Sequence, residues 1–489
     1  MKQSQLRSQI TQSALWSYVE RGGNQIVSFF VFMFVARLIG PSEYGLASIC
    51  FVVLSFANLI VLGLVDGVIS LGVKDDRRLS TIFWLVMGLG VIIALACATS
   101  AEHVAAFMGE ERIASLLRWL SVAIVFLSAS VVPNKLIYAA LDFRVVAIRT
   151  LFSAALGGVV GITVAFIGGG AFAIIAQQIV SQAIINVIAW SNVRWRPTFT
   201  FDLKAIPECM GPGVKATGIN IILFFEEQTP RVVIGALLGS VALGYYAFVM
   251  RLRFALEELA INPPLAVLFP ALCITHGGND AYDREALLGD MIRAMGWLIF
   301  PVVALAIETA PLYVPLAFGP AWSSSVVVLQ IALAGSASVP ILVTIREALR
   351  AGGFAGSYLK LQIVIVGVSL LFSVSLIPFG LEPLVVGIVA CCWASVPVYI
   401  CYIRRWTQLN LWGAVIGLIK PFVVATFTIA MLRHEETLTG FPADGWLRLC
   451  ATLVFGGLSY LLAAALLHFR EAKKLLILLG KLRVQENLS

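Results

Sequence analysis

Apolar runs of bilayer length constrain this chain more than any other feature. Gly, Pro and charge clusters divide it into about fourteen of them, starting near residues 14, 44, 81, 113, 150, 171, 210, 244, 286, 323, 357, 383, 410 and 446. Each is close to the roughly 20 residues that a helix needs to cross about 30 Å of hydrocarbon. Inside a bilayer every backbone N–H and C=O must be satisfied by the protein, which leaves helices or closed barrels. Barrel strands would show alternating segments of about ten residues, and none is present. Connectors of a few residues, "GPSEYG", "MGEER", "IGGGA" and "FGLEP", suit helical hairpins. The expected fold class is an all-α polytopic membrane protein with about 14 transmembrane helices. The balance of residues agrees: 60% are hydrophobic and 12% charged, against about 25% charged in soluble domains.

The connectors alternate in charge. One set holds Lys74, Arg77 and Arg78; Arg144 and Arg149; Arg194, Arg196 and Lys204; Arg350 and Lys360; Arg404 and Arg405. The other set is nearly free of bases. By the positive-inside rule the first set faces the cytoplasm. Lys2 and Arg7 put the N-terminus on that side, and Arg470, Lys473, Lys474, Lys481 and Arg483 put the tail there too. Two ends on one side require an even number of spans, as fourteen is. The net charge of +7 is thereby explained by loops facing one side, without nucleic acid. The polar start "MKQSQLRSQITQS" lacks a signal-peptide pattern, so the first span is expected to be retained. Residues 469–489 are too charged to span and are expected to form a cytoplasmic amphipathic tail on the membrane surface.

The chain repeats itself. "ARLIGPSEYGLAS" (36–48) resembles "GALLGSVALGYYAF" (235–248), with glycines five apart in each: Gly40 and Gly45, then Gly239 and Gly244. "FMGEERIAS" echoes "AFGPAWSSS", and "SASVVP" (128–133) echoes "SASVP" (336–340). The offset stays near 200 to 210 residues. The expected organisation is an N-lobe of helices 1–6 (1–200), a C-lobe of helices 7–12 (201–405), helices 13–14 (406–468) and the tail. Six spans per lobe is even, so the lobes are parallel repeats, and transporters bind substrate at such a repeat interface.

Several chemistries are absent from the sequence. There is no G-x-x-x-x-G-K-[ST] phosphate loop and no G-x-S-x-G nucleophile elbow. The four histidines (His103, His276, His434, His468) and eight cysteines show no metal spacing, and most cysteines lie in apolar runs as small hydrophobes. No catalytic residue, metal or cofactor is therefore assigned, and a transporter is expected in place of an enzyme.

The residues "VARLIGPSEYGLASI" and "RVVIGALLGSVALGYYAFVMRL", in a 6 + 6 + 2 arrangement, resemble the MOP exporter superfamily, in particular its polysaccharide transporter branch, the Wzx-type flippases. Exporters of exopolysaccharide, of the colanic acid or succinoglycan type, are the nearest flavour. Where the branch often places an Asn or Asp shortly before the I-G of span seven, this chain has Glu226 and Glu227 slightly earlier. The resemblance implies alternating access between two lobes. It implies translocation of undecaprenyl-diphosphate-linked oligosaccharide across the bacterial inner membrane, for exopolysaccharide or lipopolysaccharide synthesis, with both termini cytoplasmic. Implied partners are the lipid-linked substrate, membrane lipid, and a polysaccharide polymerase with its co-polymerase. The alternatives are a MATE-like small-molecule/cation antiporter and a membrane glycan polymerase.

A diphosphate and sugars cannot cross hydrocarbon unaided, and arginine matches phosphate with a two-pronged fork. Intramembrane charges are therefore the candidate site. Counting 1.5 Å per residue from the Gly turns, Arg231 lies roughly 12 Å and Glu227 roughly 18 Å deep in span seven, while Arg251 and Arg253 lie roughly 10 and 14 Å deep in span eight. Arg231, Arg251 and Arg253 are the candidate diphosphate ligands; Arg251 and Arg253, two apart, point to different faces. Equally, Glu227–Arg231 and Arg253–Glu257, each four apart, could be helix-internal pairs. Glu226 or Glu227 is the candidate for ion coupling. In "YVERGGNQIVSFF", Arg21, Asn24, Gln25 and Ser28 share one helix face. Arg21 lies roughly 28 Å below Gly40, so the stripe is a candidate cytoplasmic entry site; its alternative is a snorkelling arginine beside Glu20. Arg346 and Arg350 read as inner anchors, Arg118 with Trp119 as an outer one. Glycines and prolines inside spans, among them Gly88, Gly157, Gly158 and Gly161, read as close packing points, with Pro230, Pro263 and Pro264 as possible hinges.

Overall fold

A computed structural model of the chain describes the backbone of residues 3–63, 65, 75–202, 205–275, 281–407, 409–433 and 445–466. The expected tail helix at 469–489, Lys74, Lys204 and most of the 433–445 loop lie outside the described residues. The helices are α1 (Gln3–Gly63), α2 (Asp76–Met108), α3 (Arg112–Ala139), α4 (Phe143–Phe166), α5 (Phe172–Asn192), α6 (Ala205–Thr275), α7 (Ala281–Tyr313), α8 (Val326–Ser336), α9 (Val339–Ala351), α10 (Ala355–Ser375), α11 (Leu381–Thr407), α12 (Trp412–Gly417), α13 (Ile419–Arg433) and α14 (Trp446–Leu466). Among the described residues there is no strand. Among the described residues eleven helices are long and apolar enough to cross a membrane, or twelve spans if the pair Pro320–Ser336 and Val339–Ala351, bent by 43°, counts as one.

Two of these helices are too long to be single spans. The apolar part of α1, Leu15–Gly63, has 49 residues and that of α6, Asn220–Glu258, has 39, or about 74 and 58 Å at 1.5 Å per residue. Both break at a glycine. Gly40 has φ 75° and ψ 177°, Gly239 φ 83° and ψ 179°, a region open essentially to glycine alone. This is a further trace of the repeat. Positive φ recurs at Gly40 and Gly239, Gly109 and Gly319, Leu141 and Gly353, and Gly168 and Gly380. The offsets are 199, 210, 212 and 212 residues. The first two sequence echoes thus fall at matching turns, with the same backbone at Gly40 and Gly239 and a different one at Gly109 (ψ 21°) and Gly319 (ψ 162°). The repeats differ at the Ser-Pro echo: α3 runs unbroken through Pro133, whereas Pro340, in the first turn of α9, follows the 43° bend.

The chain forms two compact units, residues 1–247 and 248–489. In the first, α2 packs on α3, α4 on α5, and α1 on α4. One apolar cluster joins Val61, Leu79, Ile82, Phe83, Leu127 and Val131, with Trp84, Trp190 and Trp195 around it. Helices approach closely at small residues, as expected where lipid leaves no hydrophobic drive between them. A Cβ on Gly158 would overlap Val31, one on Gly157 Ser181, and one on Gly90 Ser128. Gly161 is close too, its Cβ position 2.9 Å from Gln177, but Gly88 has nothing within 4 Å and is not a packing point. The segment 193–202 is sewn to α2: Trp84 Nε1 donates to the Thr198 carbonyl (3.0 Å), Asp202 N donates to Thr81 Oγ1 (2.8 Å), and Trp84 stacks on Phe199. In the second unit α8 packs on α7 and α11, and α13 on α7. Trp322, fully buried, stacks on Phe248 with ring centres 4.2 Å apart.

Arg149 departs from its sequence reading as a connector base. It is only 7% exposed, donates to Asn134 Oδ1 and sits over the Tyr138 ring at 5.8 Å. Seven residues into α4 the helix has already entered the packed interior, so the guanidinium ties α4 to α3 instead of facing water.

Candidate functional site

The three arginines singled out in spans seven and eight have three different surroundings. Arg231, on α6 in the first unit, is largely buried. Its Nη1 donates to Gln228 Oε1 (2.9 Å), its Nη2 lies 3.6 Å from Glu227 Oε1, and its Nε is buried with no acceptor. Arg253 and Glu257, in the second unit, are 12% and 11% exposed and 2.7 Å apart. Arg253 Nε also reaches Ser336 Oγ at 3.2 Å. Ser336 is the last residue of α8, where carbonyls are unpaired and a cation is favoured. Arg251 is exposed and has no ion-pair partner among the described residues. Its face of α6 continues through Phe254 and Glu258, both exposed, at i+3 and i+7. The two-residue spacing thus sends Arg251 and Arg253 to opposite environments.

Glu226 and Glu227 are exposed beside buried Gln228. On α1, Arg21 is exposed without an ion-pair partner among the described residues, while Asn24, Gln25 and Ser28 are half-buried. Ser28 Oγ donates to Asn24 Oδ1 at 3.4 Å. Gly23 packs on Leu151 of α4, which sets the rotation of this stretch. Arg346 and Arg350 both grip Glu347, which is 5% exposed, at 3.1 and 3.2 Å. Arg118 pairs with Glu102 at 2.5 Å, and Trp119 meets Phe172 edge-on. The side chains of Pro263 and Pro264 lie outside the described residues. Among the described residues no three His, Cys, Asp or Glu side chains are grouped to hold a metal ion.

The structure adds a cluster that no sequence reading picked out, at the turns that carry the repeat. Gly45 packs so tightly on the Ser240 carbonyl that a Cβ would overlap it, and Gly244 packs the same way on the Pro41 carbonyl. Ser42 Oγ is 3.3 Å from Ser240 Oγ, and Ser240 Oγ donates to Glu110 Oε1 at 3.0 Å. Next door, Glu43 takes both Arg112 nitrogens, at 2.5 and 2.9 Å, and accepts from Ala171 N at 2.7 Å, just ahead of α5. A carboxylate at a helix N-terminus is favourable. Glu43→Ala is expected to lower the Tm in detergent by the equivalent of about 1.5 kcal/mol, the low end for charged hydrogen bonds, because Arg112 is 59% exposed. Glu43→Gln, which keeps an acceptor for Ala171 N, should lose less.

The architecture is a multi-pass helical fold that solved membrane proteins share. The solved lipid II flippase MurJ, in an inward closed conformation, superposes with a TM-score of 0.75 at 13% identity, over 93% of this chain and 99% of that one. An inward-facing multidrug resistance MATE family transporter of the MOP superfamily superposes at 0.61, with 16% identity, over 78% of this chain and 94% of that one.

The chain belongs to the polysaccharide biosynthesis protein family, which it matches over residues 34–327. Three curated proteins are similar to this chain. The succinoglycan biosynthesis transport protein ExoT of Rhizobium meliloti is 26% identical over 56% of this chain. The teichuronic acid biosynthesis protein TuaB of Bacillus subtilis is 24% identical over 96%. The lipopolysaccharide biosynthesis protein WzxC of Escherichia coli is 22% identical over 67%. The matched region spans 55% of the Rhizobium protein, 98% of the Bacillus protein and 66% of the Escherichia protein.

Proposed function

We propose that this protein moves a lipid-linked oligosaccharide, carried on undecaprenyl diphosphate, from the cytoplasmic to the periplasmic leaflet of the inner membrane, for surface polysaccharide assembly. Membership of the polysaccharide biosynthesis family and full-length similarity to a teichuronic acid biosynthesis protein support this over a drug antiporter. The MATE-like reading has the fold in its favour. An enzyme is disfavoured by the lack of any catalytic constellation in the sequence. The layout in this reading is fourteen spans, with α1 and α6 each divided at their glycine kinks into two. They form an N-lobe, a C-lobe and two terminal helices, with both termini cytoplasmic. The lobes alternate access, and a polymerase with its co-polymerase takes up the product.

The observation that carries the reading is the exposed face Arg251, Phe254 and Glu258. Two charges on one face of an apolar span would each cost about 2.5–3.5 kcal/mol against lipid tails. That face therefore lines a water-filled path. Arg251, with its fork uncommitted, is the ligand we assign to the diphosphate. Arg231 and Arg253 already have partners within the protein and shape the surroundings. Arg21, Asn24, Gln25 and Ser28 form the entry stripe at the cytoplasmic mouth, and Glu226 or Glu227 carries a coupling proton or sodium ion.

Deleting the gene is expected to abolish surface polysaccharide and to accumulate lipid-linked repeat units on the cytoplasmic side. Expression of Arg251→Glu should leave that defect uncorrected at wild-type protein level, whereas Arg251→Lys should restore part of the export. Intact polysaccharide in the deletion strain would sink the flippase reading, and loss of drug resistance in its place would favour the antiporter.

A further inference from the structure

We infer that the cleft between α2 and α3, in the first unit, binds one phospholipid with an amine headgroup, of the phosphoethanolamine class. This needs only a membrane around the chain, whatever its cargo. The cleft has a volume of about 260 Å³. It is lined by Ala94, Leu95 and Ala98 of α2 and by Val122, Val125 and Phe126 of α3. Ala94 is buried at its floor, whereas Leu95 and Val122 are exposed at its edges. Small residues at the floor leave a furrow along the helices instead of a flat face. Ser121 also lines it, but its hydroxyl donates to the Arg118 carbonyl at 2.6 Å, so it is spent on its own helix. Such a lining suits a hydrocarbon chain, and any lipid would supply one.

The headgroup is chosen one turn above. Glu102 follows Ala98 by four residues and Arg118 precedes Val122 by four, so both stand over the furrow at the end where α2 leads into α3. Helix α2 has 33 residues, about 50 Å, which exceeds the roughly 30 Å of hydrocarbon by about 10 Å at each end. Glu102 comes six residues before the last of α2 and Arg118 six after the first of α3, each about 9 Å from the helix end. They sit where acyl chains give way to headgroups. Trp119, 56% exposed, stands there too, as interfacial indoles do. The pair shares one hydrogen bond, from Arg118 Nη2 to Glu102 Oε1 at 2.5 Å. Arg118 Nη1 and Nε and Glu102 Oε2 have no hydrogen-bond partner among the described residues. Polar groups at the edge of an apolar medium need partners. A lipid phosphate accepts from the free edge of the guanidinium, and a primary ammonium donates to the free carboxylate oxygen. A choline headgroup has both charges but no N–H to donate. A glycerol headgroup brings its phosphate beside Glu102 with no cation to answer it.

The test uses the full-length protein in detergent micelles and a phosphatidylethanolamine that carries a photoactivatable diazirine in one acyl chain. Adducts should concentrate on residues 91–98 and 121–126. Unlabelled phosphatidylethanolamine should displace the probe at about one-tenth the concentration that phosphatidylcholine or phosphatidylglycerol of the same chains requires, the worth of one charged hydrogen bond. Glu102→Ala should remove this preference for the amine. Glu102 is 75% exposed, so the variant keeps its fold, which unchanged thermal unfolding without lipid confirms. Ala98→Phe, which fills the furrow, should clear adducts from both segments and leave labelling of other helices as it was. Adducts spread evenly over the helices, equal displacement by the three lipids, or a preference for the amine that survives in Glu102→Ala would each overturn the site. Stronger displacement by phosphatidylglycerol would make Arg118 a plain phosphate anchor and overturn the amine headgroup.

Discussion

Gly45→Val should abolish export while the protein still inserts and folds. The valine side chain would have to occupy the space of the Ser240 carbonyl. A backbone carbonyl cannot rotate away as a side chain can, so the turns must part. Overpacking of this kind costs about 1–3 kcal/mol. Since about 1.4 kcal/mol is a factor of ten, the ratio of touching to parted turns falls by roughly 5- to 150-fold. Gly244→Val should do the same through the Pro41 carbonyl. The readouts are surface polysaccharide and the yield of a disulfide between cysteines placed at Ser42 and Ser240, whose hydroxyls lie 3.3 Å apart, and both should drop together. Gly88→Val is the control, because that glycine has nothing within 4 Å and valine there meets open space. Wild-type export by Gly45→Val would show that the contact between the turns has no part in transport.

Glu257→Leu should be among the most destabilising substitutions in the second unit. It takes away the carboxylate that the buried Arg253 guanidinium holds at 2.7 Å, while Ser336 Oγ stays at 3.2 Å. Removing one member of a buried ion pair costs about 3–5 kcal/mol, whereas replacing both by apolar residues of similar size is often neutral. The double variant Arg253→Met/Glu257→Leu should therefore recover to within about 1 kcal/mol of the parent. Thermal unfolding in detergent measures both. The double variant also separates the two readings of Arg253. Export should persist, because the arginine serves the bend between α8 and α9. A stable double variant that exports nothing would return Arg253 to the substrate.

The membrane class and approximate positions of the spans were legible without coordinates, because they depend on local chemistry. An apolar run of about 20 residues has few options in a bilayer. The repeat was legible for a related reason. Its echoes are glycines at reversals, and a glycine required at positive φ is recorded in the sequence as such. Leu141 escaped notice there because it makes the same turn as Gly353 without being a glycine. Helical spacing also separated Arg251 from Arg253, since two residues rotate the side chain by about 200°.

Burial and partnership across long separations were not legible. Arg149 reads like its neighbour Arg144 as a loop base, yet it is packed between helices, because the depth at which α4 enters the core depends on α3. Gly88 and Gly90 look alike in sequence, but only Gly90 faces Ser128. Ser42, Glu110 and Ser240 are ordinary polar residues beside turns, and only the fold brings them together from three places in the chain. By itself the sequence determined a multi-pass helical chain with two matching series of glycine turns, because hydropathy and backbone conformation are properties of short stretches. Only the tertiary structure decided that the matching turns close on each other and which arginine is left uncommitted. Both depend on which faces meet, and residues some 200 positions apart carry no local mark of their partner.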